Sequence, residues 1–256
     1  MSPSTSFLER FSFREKYLAS RDAKAQKIHK ILQRQVSLVE QVSLLDIGCS
    51  QGHITQKLGE DFSMVVGLDL ADEVGRKPGF HFVQADGCQL PLRSAIFDVI
   101  LLNHVLEHVL SPQSLLDETW RVLRPGGICY LATPNKYSFL EPHYRLPFLS
   151  WLPRPLAHQY VRLVRRGNYY LDRLLSYYEL RKLTRRFEVH DQTCAVLADP
   201  GVFFQSDPTF VGLVWWIRWC PLWLLRLMMP LLPVYILTLR KKRIGSPTAT
   251  TKATPT

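Results

Sequence analysis

Apolar and polar positions give the chain three textures. From Arg14 to Val39 the apolar residues Leu18, Ala25, Ile28 and Leu32 recur near helical spacing, and charged residues fill the other faces. That pattern predicts an amphipathic helix lying on the domain that follows. From residue 42 short unbroken apolar runs take over: VSLLDIG (42–48), SMVVGLDL (63–70), FHFVQAD (80–86), FDVILLN (97–103) and GICYLAT (127–133). Runs of this length bounded by turn residues predict buried strands. Segments of helical length separate most of them. One gap carries helix punctuation: a Ser111-Pro112 start, then Leu116, Trp120 and Leu123, then a Gly126-Gly127 stop. The alternation predicts five uninterrupted strand–helix units over 42–133, forming an α/β, doubly wound parallel sheet with helices on both faces.

After Thr133 the alternation breaks. Residues 136–175 are rich in Pro, Arg, Trp and Tyr and read as an inserted cap. SYYELRKLTRRF (176–187) predicts a helix, and FEVHDQTCAVL (187–197) a sixth strand of more than average length. VYILTL (234–239) predicts a seventh strand, ended by RKKR (240–243). Residues 209–229, with Pro221 inside, read as an apolar helical insertion before it. The polar stretch 244–256 is expected to be a disordered tail. The expected organisation is a helical segment 1–40, a core 41–135, the cap, a C-terminal part of the core over 176–243, and the tail.

The 256 residues allow one large domain, or a domain with a subdomain. With 46% hydrophobic and 21% charged residues, a mostly disordered chain is excluded. The five cysteines, at 49, 88, 129, 194 and 220, are odd in number and far apart. Neither a disulfide framework nor a structural zinc site is expected, and a reducing, cytoplasmic setting fits. Residues 1–20 hold Glu9, Arg10, Arg14, Glu15 and Lys16 and no apolar run, so no secretory signal is expected. Charge is concentrated: residues 136–186 carry 11 Lys/Arg against 3 Asp/Glu, within a chain of net +10. Such a block suits an anionic partner or, alternatively, a solvated helix face.

The densest chemistry lies in LLDIGCSQG (44–52). A strand delivers Asp46 at its carboxyl end, and Gly48 and Gly52 let the backbone pass close to a ligand. Ser50 stands where the dinucleotide fingerprint needs glycine, which disfavours a nicotinamide oxidoreductase. Asp69 ends the next strand, 21 residues after Gly48, where a carboxylate can accept both ribose hydroxyls. Asp86 ends the third, where an exocyclic amine could donate to it. Carboxylates at three neighbouring strand tips describe a pocket for an amino acid–ribose–adenine ligand.

These features resemble the class I S-adenosylmethionine-dependent methyltransferases, strongly over about 40–135 and weakly beyond. FDVILLNHVLEHV (97–109) is similar to the small-molecule, quinone-biosynthesis-like branch, and RVLRPGGICYLATPN (121–135) to the family's fifth-strand signature. The resemblance implies a Rossmann-like sheet of seven strands, the last antiparallel, and S-adenosylmethionine as cofactor. It implies that Asp46, Gly48, Cys49 and Gly52 bear the methionine moiety. Asp69 with Leu70 would hold the ribose, Asp86 and Gly87 would lie by the adenine, and Asn103 would lie beside the sulfonium. Transfer is attack of a nucleophile on an electrophilic methyl, so positioning carries much of the catalysis. A general base is needed only if the acceptor arrives protonated. Candidates are His104, His108 and His143; each could instead brace a helix or a cap loop. No metal is expected.

The strand-four tip reads Leu-Asn-His-Val, not the Asn-Pro-Pro-Tyr type of nucleic-acid and amino-group methyltransferases, and nucleic acid is not expected as a partner. Trp215, Trp216, Trp219 and Trp223, with Arg218 and Arg226, suit the headgroup boundary of a bilayer. The alternatives are a buried helix or a dimer interface. No uncharged run there reaches spanning length; the longest is Leu227–Leu239. The resulting expectation is methyl transfer to a small, hydrophobic or lipid-linked acceptor through an O-, C- or N-nucleophile. The enzyme would be cytoplasmic, with peripheral contact to the inner face of a membrane through 209–229. A membrane-associated binding scaffold without turnover is the alternative.

Overall fold

The structure is a computed structural model that describes residues 3–35, 41–74, 79–198 and 221–243. Seven strands form one sheet: β1 (Ser43–Ile47), β2 (Met64–Asp69), β3 (His81–Gln84), β4 (Phe97–Asn103), β5 (Leu123–Pro134), β6 (Glu188–Asp191) and β7 (Val234–Arg240). Their order is β3-β2-β1-β4-β5-β7-β6. The first five run parallel, and β7 pairs antiparallel with both β5 and β6. The order reverses between β1 and β4, which opens a crevice beyond the carboxyl ends of those strands.

Strand alternation divides the core between the two faces. Leu45, Ile47, Leu68, Ile100 and Leu102 belong to one apolar cluster, and Leu44, Val65, Val99 and Leu101 to the other. Each central strand is therefore apolar at successive positions, because both of its faces are covered. The long helix α1 (Pro3–Gln35) covers the second face with Ala25, Ile28, Ile31 and Leu32, all fully buried. Each of its Ile and Leu side chains contributes about 1.5–3 kcal/mol by leaving water.

The connections differ from the expected five strand–helix units. Helix α2 (His53–Gly59) joins β1 to β2, and α3 (Pro112–Val122) joins β4 to β5. Between β3 and β4 the chain stays irregular. Asp86 accepts from the Cys88 amide at 2.8 Å, and Arg121 donates to the carbonyls of Leu90 and Leu92 at 3.0 and 2.7 Å. Those contacts satisfy backbone that a helix would otherwise satisfy internally. Ser111 caps α3 as expected, but β5 begins at Leu123, four residues earlier than read. Gly126, at φ 85°, and a register shift opposite Phe97/Val99 carry the strand through the Pro-Gly-Gly.

Residues 135–175 hold a short turn of helix at Leu149–Trp151 and α4 (Arg154–Leu163). Leu146, Leu149, Ala157, Val161 and Tyr170 form an apolar cluster of their own. Helix α5 (Tyr177–Leu183) starts at a capping box of Ser176 and Glu179. The expected long sixth strand is a correction: β6 ends at Asp191, and α6 (Thr193–Ala198) follows. The Asp191 carboxylate accepts from the amides of Thr193 and Cys194 at 2.7 and 3.4 Å, which turns an apolar run into a helix. Of the apolar segment 209–229, residues 209–220 lie outside the described residues, as does the tail. Helix α7 (Leu222–Leu227) packs Leu225 into the core and leaves Trp223 68% exposed. No described helix is long and apolar enough to cross a membrane.

Candidate active site

The turn after β1 sits in the crevice between β1 and β4. Gly48 and Gly52 take φ near +77° and +76°, a region costly for any residue with a Cβ. The amides of Gly48 and Cys49 donate to Leu68 O at 2.7 and 3.1 Å and tie the turn to β2. A Cβ on Gly48 would stand 2.5 Å from the Val105 side chain. The backbone thus lies open on one side and closely packed on the other.

Asp46 is buried at the base of this turn and accepts the Thr55 hydroxyl at 2.6 Å. Burial pushes its carboxyl up to about 7; the Thr55 hydrogen bond opposes the rise, the Asp69 charge adds to it, and Arg21 opposes it. Burial and the same two carboxylates push the Cys49 thiol up to about 12, so it stays protonated. Asp46, Gly48, Cys49 and Asn103 line one cleft. Its other wall comes from α1: Tyr17 and Arg21, one helical turn apart, with the guanidinium 5.0 Å over the Tyr17 ring. Tyr17 also meets His53 of α2 edge to face at 6.1 Å. The sequence reading missed Tyr17, Arg21 and His53. Their one signal was a cation and an aromatic at i, i+4 on a helix already known to pack on the domain.

The remaining acidic tips lie in series beside the cleft. Asp69 accepts the amide of Ser50, a cleft residue, at 2.7 Å. Asp86 lies one strand farther out, where Ala85 N donates to Asp69 O at 3.0 Å. Gly87 is pressed on the core, since a Cβ there would come within 2.9 Å of Ile47. Gly52, Asp69, Leu70, Asp86 and Gly87 flank the cleft rather than line it, and Leu70 is exposed.

None of the three histidines lines the cleft; His104 directly follows its lining residue Asn103. His104, held at φ 60°, pairs its Nδ1 with Glu107 at 3.3 Å, and the buried Glu107 also accepts the Thr133 hydroxyl at 3.1 Å. His108 Nδ1 lies 2.9 Å from Asp172. His143 Nδ1 lies 3.1 Å from Glu141 and 3.4 Å from Asp172. The two rings of His108 and His143 meet edge to face at 5.1 Å. The Asp172 hydrogen bond raises the His108 pKa against the effect of burial, and the Glu141 hydrogen bond does the same for His143. Glu107, His108 and His143 could converge on a cation, as could Glu141, His143 and Asp172, an arrangement the sequence did not foretell. Each of these imidazoles already has a carboxylate partner, so the cluster is satisfied as a clasp between the β4 tip and the segment after β5.

Comparison with known proteins fits this architecture. Residues 45–131 match the family described as a methyltransferase domain. The ubiquinone biosynthesis O-methyltransferase of Rhizobium rhizogenes is 32% identical over 141 residues, which are 50% of this chain and 56% of that protein. The chain spans about half the length of the curated relatives it matches. Among solved structures, the plantazolicin methyltransferase BpumL, crystallised with a pentazolic analog and SAH, superposes with a TM-score of 0.56 at 16% identity. That match covers 94% of this chain and 92% of BpumL. The [4+2]-cyclase SpnF superposes with a TM-score of 0.51 at 18% identity, over 86% of this chain and 82% of its own. At these identities the structural likeness gives the fold alone.

Proposed function

We infer that this chain, whose residues 45–131 form a class I S-adenosylmethionine-dependent methyltransferase domain, transfers a methyl group to a small, hydrophobic or lipid-linked acceptor. One observation carries the reading: the buried Asp46 and the Arg21 cation line one cleft beside a turn that has no room for a Cβ at Gly48. A zwitterionic amino acid asks for that charge pair. Asp46 would take its ammonium and Arg21 its carboxylate. Asp69 would take ribose hydroxyls, and Asp86 with Gly87 the adenine edge. The bound cofactor supplies an electrophilic methyl on sulfur.

Asn103 lines the cleft at the tip of β4 and would position the acceptor beside that methyl. His104 follows it directly. Donation from Nδ1 to Glu107 leaves Nε2 of His104 as the atom able to take a proton from a hydroxyl acceptor. His108 and His143, tied to Asp172 and Glu141, would instead hold the rim of the acceptor side. The named function of the Rhizobium rhizogenes relative supports an oxygen nucleophile on a quinone-type ring. The exposed Trp223, the described end of the apolar segment 209–229, supports peripheral contact with a membrane face, where such acceptors partition.

The test is incubation of the full chain with methyl-labelled cofactor and a lipid extract of the source cells. Label in a lipid-soluble product, gaining the mass of one CH2, is expected. Cofactor binding with no transfer to any acceptor would instead favour a binding scaffold.

A further inference from the structure

Residues 137–151 carry four aromatic side chains in unbroken contact on the surface. Tyr137 and Trp151 have ring centroids 5.9 Å apart, Trp151 and Phe148 5.2 Å, and Phe148 and Phe139 4.7 Å. All four are exposed, from 40% for Tyr137 to 63% for Phe139. The row is built rather than loose. Phe148 N donates to Phe139 O at 2.8 Å, Leu140 bridges Pro147, and the Trp151 indole donates to Ser138 O at 3.0 Å. Arg145 and Phe148 are held at φ 54° and 56°, conformations that persist only where the surroundings enforce them.

The exposed charges of the segment that carries the row have one sign. Between residues 136 and 173 the only carboxylates are Glu141 and Asp172. Glu141 is buried, Asp172 is nearly so, and both are engaged by His143 and His108. Arg145, Arg154, Arg162, Arg165 and Arg166 are all exposed. The segment has turned its acids inward and its guanidinium groups and rings outward. A solvated helix face accounts for the arginines of α4 but not for four touching rings. Asn135, two residues before the row, is tied to the apolar C-terminal segment. The Asn135 amide donates to Pro230 O and Leu232 O, both at 2.8 Å, and Leu231 between them is 61% exposed.

We propose that the outer face of residues 136–173, with Phe139, Phe148 and Trp151 as its apolar centre, docks on an anionic bilayer surface. This extends the membrane contact inferred above to the segment that His108 and Asp172 tie to the loop after β4. Aromatic rings seat at the headgroup level, and the arginines meet acidic headgroups. An acceptor dissolved in the bilayer would then reach the rim without crossing water.

The test is flotation of the full chain with vesicles of phosphatidylcholine, alone or mixed with phosphatidylglycerol, at low and high salt. Flotation should occur with the mixed vesicles and weaken with salt. It should fall about tenfold or more in the triple variant Arg154→Glu, Arg162→Glu, Arg166→Glu, which alters only exposed positions. A second variant, Phe139→Ser with Phe148→Ser, should lower it comparably. Calorimetric binding of S-adenosylhomocysteine, unchanged in both, reports that the fold is intact. The proposal is overturned if the chain stays unfloated with both vesicle types, if the arginine variant floats like the parent, or if the two serines abolish self-association instead. Failure to bind S-adenosylhomocysteine, with flotation preserved, would strike the cofactor reading and leave the docking face standing.

Discussion

His108 and Asp172, 2.9 Å apart, join the tip of β4 to the far end of the segment that follows β5. His143 shares the same carboxylate, and Arg173 N donates to Glu107 O at 2.9 Å beside it. Two imidazoles, Asp172, Glu141 and Glu107 thus face one another, with the Tyr144 and Tyr170 phenols nearby in charge terms.

The histidine pKa values are raised in the fold, so the stability this cluster contributes is full below the ordinary histidine value. It is lost as pH rises through the raised values. Amide protection factors in residues 141–173, corrected for the intrinsic rise of exchange with pH, should therefore fall from pH 6 to 8.5. The effect should stay within about 1 kcal/mol because both rings are partly exposed. The Asp172→Asn variant should have low protection factors at both pH values; a fall in protection equal to the parent's would show that the clasp does not hold the segment.

Asp46 has the opposite consequence for binding. Its carboxyl, pushed up to about 7 chiefly by burial, is neutral in acid and cannot pair with an ammonium. Affinity for S-adenosylhomocysteine should weaken as pH falls below 7, by up to about tenfold per unit. Titration calorimetry from pH 5.5 to 8.5 measures this. The Asp46→Asn variant should bind weakly with a flat profile, and a sloping one would assign the titration elsewhere.

Arg21→Met keeps the apolar stem and removes the cation. Cofactor binding should weaken by about 1–3 kcal/mol, the range for a lost charge-assisted contact. The melting temperature without ligand should hardly move, because the buried residues of α1 lie farther along the helix. A large drop in melting temperature with unaltered affinity would make Arg21 a structural residue only.

Gly48→Ala meets two obstacles, φ +77° and the Val105 side chain. Destabilisation of about 1–3 kcal/mol is expected in chemical denaturation. Adding Val105→Ala should relieve the clash and leave the backbone strain. Full recovery in that double variant would mean that the left-handed conformation is not costly here.

His104→Gln should lower kcat on a hydroxyl acceptor by about a hundredfold or more with little change in KM for the cofactor. Glu107→Gln should move the pH–rate profile, because it alters what His104 Nδ1 donates to. An unchanged profile together with unchanged kcat would remove both from the chemistry.

The sheet was legible because its central strands are covered on both faces, so each is written as an unbroken apolar run, and β1 and β2 carry an acidic residue at the tip. The same rule misread QTCAVL, where the Asp191 carboxylate supplies a helix cap that periodicity does not register. It also overcounted helices, since the stretch after Asp86 is fixed by Arg121 from another element. That Asp46, Gly48, Cys49 and Asn103 share one cleft was readable from their places at the carboxyl ends of β1 and β4. Arg21 was not, because only tertiary packing brings α1 over the turn. Nor was Asp172, whose meaning depends on two histidines from separate segments. The tryptophans at 215, 216 and 219 lie outside the described residues.

The long first helix rests on the sheet through Ala25, Ile28 and Leu32 and offers Tyr17 and Arg21 to the cleft from its preceding turns. Occupancy of the cleft and seating of that helix are therefore linked equilibria: whatever favours one favours the other in equal measure. Saturation with nucleoside should shield the helix from proteases, and shortening it from the front past residue 21 should cost affinity before it costs the sheet. The helix is in this sense a reporter of whether the cleft is loaded.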